Sequence, residues 1–152
     1  MRIIALDIGT KRIGVAFADT KVRIAVPRGM VPVDGDELSA IAKWYRVEKA
    51  DLIVAGLPRN SKGETTQQTQ LVYDFIDKLK GFFTKQEHKQ LIVRFQDESL
   101  TSVMAESYLG NTVSRADRAA GKVDTEAATI ILQDFLESTN FEQLEKEIYG
   151  AK

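Results

Sequence analysis

The run Ile3-Ile4-Ala5-Leu6-Asp7-Ile8 constrains this chain more than any other stretch. Its apolar residues suit a central strand, yet an acid sits among them. An ionised carboxylate in such a place needs a cation, several hydrogen-bond donors or an opening to solvent. Residues 9–12 read as a turn and residues 13–18 as the antiparallel partner strand. If Ile8 pairs with Ile13, Asp7 falls opposite Gly14, with Ala16 nearby on the same face. Neighbours this small would leave space for a ligand above the carboxylate. The plainer alternative is an aspartate that merely turns the chain beside Gly9.

Downstream, a third strand is expected over residues 23–26, continuing to Val31. Asp36 can cap a helix that carries Leu38, Ile41, Ala42 and Tyr45 at helical spacing. Residues 52–57 form a continuous apolar run ending before Pro58, as in a strand buried on both faces. A polar loop over 59–64 leads to a helix with an apolar stripe of Leu71, Val72, Phe75, Ile76, Leu79 and Phe83. Residues 91–95 predict a fifth strand. A helix from about Thr101 should stop near Gly110-Asn111, a basic loop should cover 114–123, and a last helix should begin near Thr125. The order β-β-β-α-β-α-β-α-α predicts an α/β fold in which a mixed five-stranded sheet is flanked by helices. The 152 residues fit one domain, 1–152.

Parallel strands end on a shared sheet edge, where α/β proteins build their sites. Asp97 and Glu98 follow the fifth strand. Alternation puts Asp97 on the face of Leu91, Val93 and Phe95 and Glu98 on the face of Arg94, without deciding which points at Asp7. Asp124 precedes the last predicted helix, where aspartate is also a favoured N-cap. Two carboxylates about 4 Å apart repel by about 4 kcal/mol at an effective dielectric near 20. A cluster of such acids therefore calls for a cation, and hard oxygen ligands suit Mg²⁺ or Mn²⁺. Such ions can activate water and stabilise a leaving oxygen in phosphodiester hydrolysis.

Net charge is −1 with a pI near 5.9, but its distribution is uneven. Residues 1–33 sum to +4, residues 111–123 to +2 and residues 124–152 to −5. One basic face on a near-neutral protein is compatible with phosphate contact. Lys11, Arg12, Arg59, Lys62, Arg115, Arg118 and Lys122 are the candidate nucleic-acid contacts, although each alone could be a solvated surface charge. The glycine-rich Asp7–Gly14 stretch lacks the lysine-serine/threonine ending of a P-loop. There is no cysteine, and the single His88 lies in a polar stretch, so thiolate, zinc and Ser-His-Asp chemistry are disfavoured. Apolar runs are too short to span a bilayer, and an early acid spoils any secretory segment. A cytoplasmic protein with no membrane partner is expected, as a monomer or homodimer.

Four blocks resemble the YqgF/RuvX family of Holliday junction resolvase-like, or pre-16S rRNA, nucleases. They are Ala5-Leu6-Asp7-Ile8-Gly9-Thr10-Lys11-Arg12-Ile13-Gly14-Val15-Ala16, Ile53-Val54-Ala55-Gly56-Leu57-Pro58, Asp97-Glu98-Ser99-Leu100-Thr101 and Val123-Asp124-Thr125-Glu126-Ala127-Ala128. The resemblance implies a ribonuclease H-like fold and a metal-dependent nuclease. Its acidic triad, both catalytic and metal-binding, would fall on Asp7, Glu98 and Asp124. The substrate it implies is the 5′ end of pre-16S rRNA or branched DNA, and the residues do not choose between them. Ser99 departs from the arginine that usually follows the Asp-Glu pair, so any contact made by that arginine is in question. Two rivals keep the same fold core. An actin-like or sugar-kinase-like phosphotransferase needs two such lobes, and this chain supplies one. A non-catalytic nucleic-acid-binding factor would not need all three acids.

Overall fold

The computed structural model describes residues 1–58, 66–97 and 122–150. Strands β1 (Arg2–Ile8), β2 (Arg12–Asp19) and β3 (Val26–Pro32) meander into helix α1 (Glu37–Val47). Then follow β4 (Leu52–Leu57), α2 (Gln67–Gln86), β5 (Val93–Asp97), α3 (Lys122–Ser138) and α4 (Phe141–Tyr149). The sheet order is β3-β2-β1-β4-β5. β1–β2 and β2–β3 pair antiparallel, and β1–β4 and β4–β5 pair parallel. The expected mixed five-stranded sheet is therefore present.

Alternation along the strands divides the core in two. Ile4, Leu6, Ile8, Ile13, Val15 and Phe17 face a cluster completed by α1 and α2. Ile3, Ala5, Ala16, Ala18, Leu52 and Val54 face Ala128, Ile131, Leu132 and Phe135 of α3 and Phe141 of α4. β4 is buried along its whole length, as its unbroken apolar run requires. α2 begins with a capping box in which Thr66 and Thr69 exchange side-chain-to-backbone hydrogen bonds. The Thr69 hydroxyl also donates to the Pro58 carbonyl, which ties the helix start to the end of β4.

Several boundaries differ from expectation. β3 starts at Val26, three residues late, because the chain from Thr20 to Ala25 first rounds the corner of the sheet. The Arg23 and Ala25 backbone there is held by the Gln133 side chain of α3. β5 starts at Val93 and extends through Asp97; Leu91 is buried but lies before the strand. Asp36 occupies the N-cap of α1 without making a side-chain cap. α3 starts at Lys122, so Asp124 lies inside its first turn and is not the cap. Carboxylates are also favoured in a first turn, where they meet the positive end of the helix dipole. α4, capped by Asn140, was not anticipated. The helix expected from Thr101 and most of the basic loop expected over 114–123 lie outside the described residues.

At the end of the sheet where β1 begins, charge is used for fastening. Glu48, only 9% exposed, pairs with Arg28 at 2.7 Å and Arg2 at 3.6 Å. Both guanidiniums lie over the Phe17 ring, at 4.6 and 4.9 Å from its centroid. The Arg2 amide donates to Asp51 at 2.9 Å. Arg28 reaches this cluster because a register shift beside Val15 and Ala16 leaves it as the extra residue of a β-bulge.

Candidate functional site

The opposite end of the sheet gathers the candidate chemistry. Asp7 pairs with Gly14 and Ile8 with Ile13, the register the sequence implied. One step beyond the Leu6–Ala55 pair, Asp7 is level with Gly56 of β4. Asp7 shares the face of Ile3 and Ala5, which α3 covers, and is half-buried at the end of that face. Both flanking strands thus present glycine, without a side chain of its own, beside the carboxylate. Gly56 was not singled out from sequence. A lone glycine inside an apolar strand was its available signal.

The β1–β2 turn is closed by the Gly9 amide donating to the Arg12 carbonyl at 3.0 Å. A Cβ on Gly9 would lie 2.8 Å from that carbonyl oxygen, so the turn requires glycine here. Lys11 is exposed at the tip, and its carbonyl accepts from the Val33 amide at 2.9 Å. Arg12 is half-buried at the start of β2, in phase with Gly14 and Ala16 and so on the face of Asp7. Asp7, Lys11 and Arg12 therefore share one end of the sheet.

Asp97 reaches the same edge on the other face. It pairs with Leu57, which belongs to the cluster under α1 and α2. Phe95, two residues earlier, meets Tyr73 of α2 edge-to-face at 5.1 Å. Gln96 is level with Gly56 and hence on the face of Asp7. Glu98, Arg59, Lys62, Arg115 and Arg118 lie outside the described residues, and Lys122 and Asp124 are described only as backbone in the first turn of α3. Among the described residues no group of three His, Cys, Asp or Glu side chains could hold a metal. His88 is exposed in the loop after α2, as expected of a solvated residue.

A family model for the RuvX Holliday junction resolvases matches residues 1–138. The chain belongs to the RuvX family. Two relatives bearing the name "Putative pre-16S rRNA nuclease" come from Chloroflexus aggregans and Clostridium novyi. The first is 35% identical over 138 residues, covering 90% of this chain and 93% of its own. The second is 39% identical over 144 residues, covering 91% and 99%. The RuvC structure of Thermus thermophilus superposes with a TM-score of 0.52 at 8% identity, covering 91% of this chain and 95% of that one. That likeness establishes the fold, which is ribonuclease H-like. Among the described residues of this RuvX-family chain, no helix is long and apolar enough to cross a membrane.

Proposed function

We propose that this RuvX-family chain is a cytoplasmic, divalent-metal-dependent nuclease, a single domain over residues 1–152. Its reaction is phosphodiester hydrolysis in 5′-end maturation of pre-16S rRNA. The observation that carries the reading is Asp7: a half-buried carboxylate at the end of the central strand, on the α3 face, flanked by glycines. That is hard oxygen chemistry, and it fits Mg²⁺ or Mn²⁺. Glu98 and Asp124 complete the acidic set. Asp97 sits on the face opposite Asp7, so strand alternation favours Glu98 as the second acid. Asp124 lies in the first turn of α3, four residues before Ala128. Gln133 pins α3 at the sheet end opposite Asp7, so the first turn of the helix runs away from that end.

A bound ion would supply a water of lowered pKa and stabilise the leaving oxygen. The chain's own part is to hold that ion and to position the strand. Lys11 and Arg12 contact phosphates beside the hairpin, with Arg59, Lys62, Arg115, Arg118 and Lys122 extending the path. Branched DNA is the second reading, favoured by the description of the matching family model. A cleavage panel separates the two: precursor ribosomal RNA, single-stranded RNA and DNA, duplex and a four-way junction, each with Mg²⁺, Mn²⁺ or chelator. Metal-dependent cuts near the 5′ end of the precursor RNA are expected. Cutting confined to the junction selects the second reading. No cleavage of any substrate leaves a nucleic-acid-binding factor.

A further inference from the structure

On the other side of the β1–β2 turn lies a pocket of about 410 Å³, within the range of small-ligand sites. Gly9 and Thr10 form one wall, so the pocket adjoins the tip that presents Lys11. One face of α2 forms another, with Leu71, Asp74, Phe75 and Lys78 related by helical spacings of three and four residues. The start of α1 closes the third side with Glu37 and Leu38. The floor is apolar and aromatic, whereas the charged groups are two carboxylates and one ammonium. Asp74 uses one oxygen to accept from the Gln70 amide nitrogen at 2.9 Å, and Glu37 uses one to accept from the Gly35 amide at 3.2 Å. The other oxygen of each takes no part in those bonds.

We propose that this pocket holds an unpaired guanine base from the strand whose phosphates cross Lys11. The assignment rests on the nuclease reading and names a subsite of it. Two carboxylates repel a phosphate, which therefore stays outside on the hairpin tip. They attract a base that offers donors. Guanine alone among the four bases offers two adjacent donors, N1–H and the 2-amino group, and a carboxylate accepts both at once. Its O6 and N7 are acceptors suited to an ammonium such as that of Lys78. The half-buried Phe75 ring supplies a stacking surface. A strand bound in this way passes over the edge of the sheet, with its scissile phosphate on the Asp7 face and a flanking base tucked against α2. The strand must be single at that point, since a paired guanine has already committed its N1–H and amino group.

The test is a titration of the isotope-labelled full chain with the four nucleoside 5′-monophosphates, followed by NMR without metal. GMP should shift the amide resonances of Glu37, Asp74, Phe75 and Lys78 and bind about tenfold more tightly than AMP, CMP or UMP. Asp74→Asn should remove that preference, while Asp7→Asn should leave it intact. In a single-stranded RNA with one guanine, inosine in its place should weaken binding by a similar factor, since only the 2-amino group is lost. Equal binding of all four nucleotides, no binding at all, or shifts confined to the Asp7 face would overturn the proposal. So would a lysine-rich peptide that shifts these resonances when nucleotides do not. Guanine preference without cleavage of any substrate would retain the pocket and sink the nuclease reading. Cleavage without guanine preference would do the reverse.

Discussion

The two faces of the β1–β2 hairpin carry different side-chain volumes. Toward α1 and α2 it presents Ile4, Leu6, Ile8, Ile13, Val15 and Phe17, and toward α3 it presents Ile3, Ala5, Asp7, Gly14, Ala16 and Ala18. The bulky face fills the space above it and is structural throughout. The small face lets α3, itself carrying Ala127 and Ala128, lie close to the sheet, and it carries Asp7 half-buried at its far end. The same strands thus build stability with one phase of their alternation and a site with the other. An acid on the bulky face would have been excluded by its neighbours.

Replacing Asp7 should separate the two roles most sharply. Asp7→Asn should lower single-turnover cleavage by about a thousandfold, the scale of losing an electrostatic contact at the reacting centre. Its melting temperature should stay close to the parent's, and a large loss of stability would place Asp7 with the structural phase. The adjacent acids give a second contrast. Glu98→Gln should lose turnover to a similar degree, whereas Asp97→Asn should retain most of it. The reverse ranking in two well-folded variants would move the role to the α2 face.

Stability tests of the same comparison follow. Leu6→Ala should cost about 2–5 kcal/mol in urea unfolding, because it opens a cavity under α1 and α2. Ala5→Leu, next to it but facing α3, should cost about 1–3 kcal/mol by overpacking. A neutral Ala5→Leu would mean that α3 is not held close. The smallest effect belongs to the exposed tip. Lys11→Ala should weaken nucleic-acid binding and flatten the slope of log affinity against log salt by about 0.7–0.9, the loss of one phosphate contact. An unchanged slope would move the phosphate path to Arg59, Arg115 and Lys122.

The hairpin was legible because a one-residue slip would turn every buried side chain of β1 outward, so the apolar pattern admits a single register. β4 was legible because its apolar run and its strand coincide, both ending before Pro58. β5 was displaced because hydrophobicity reports burial and not strand pairing: Leu91 is buried before the ladder begins, while Gln96 and Asp97 pair within it. α4 was missed although Phe141, Leu144 and Ile148 recur at helical spacing, because the stretch is short and its other positions are mostly polar. At the site, the position of Asp7 followed from local pattern. The choice between Asp97 and Glu98 did not. It depends on which face of the sheet α3 covers, a long-range fact that no window of sequence contains.

β3 is an outer strand, and its two prolines have a consequence for assembly. Counting back from Pro32 with Arg28 skipped as the bulged residue, Pro27 falls in the same phase as Pro32. Both proline nitrogens then face away from β2, so the outer margin of the sheet among the described residues lacks an N–H at each position. A second copy laid alongside would find gaps where its carbonyls seek donors, which discourages fibre-like stacking through this margin. If two copies must act together on a four-way junction, they will have to meet through another surface.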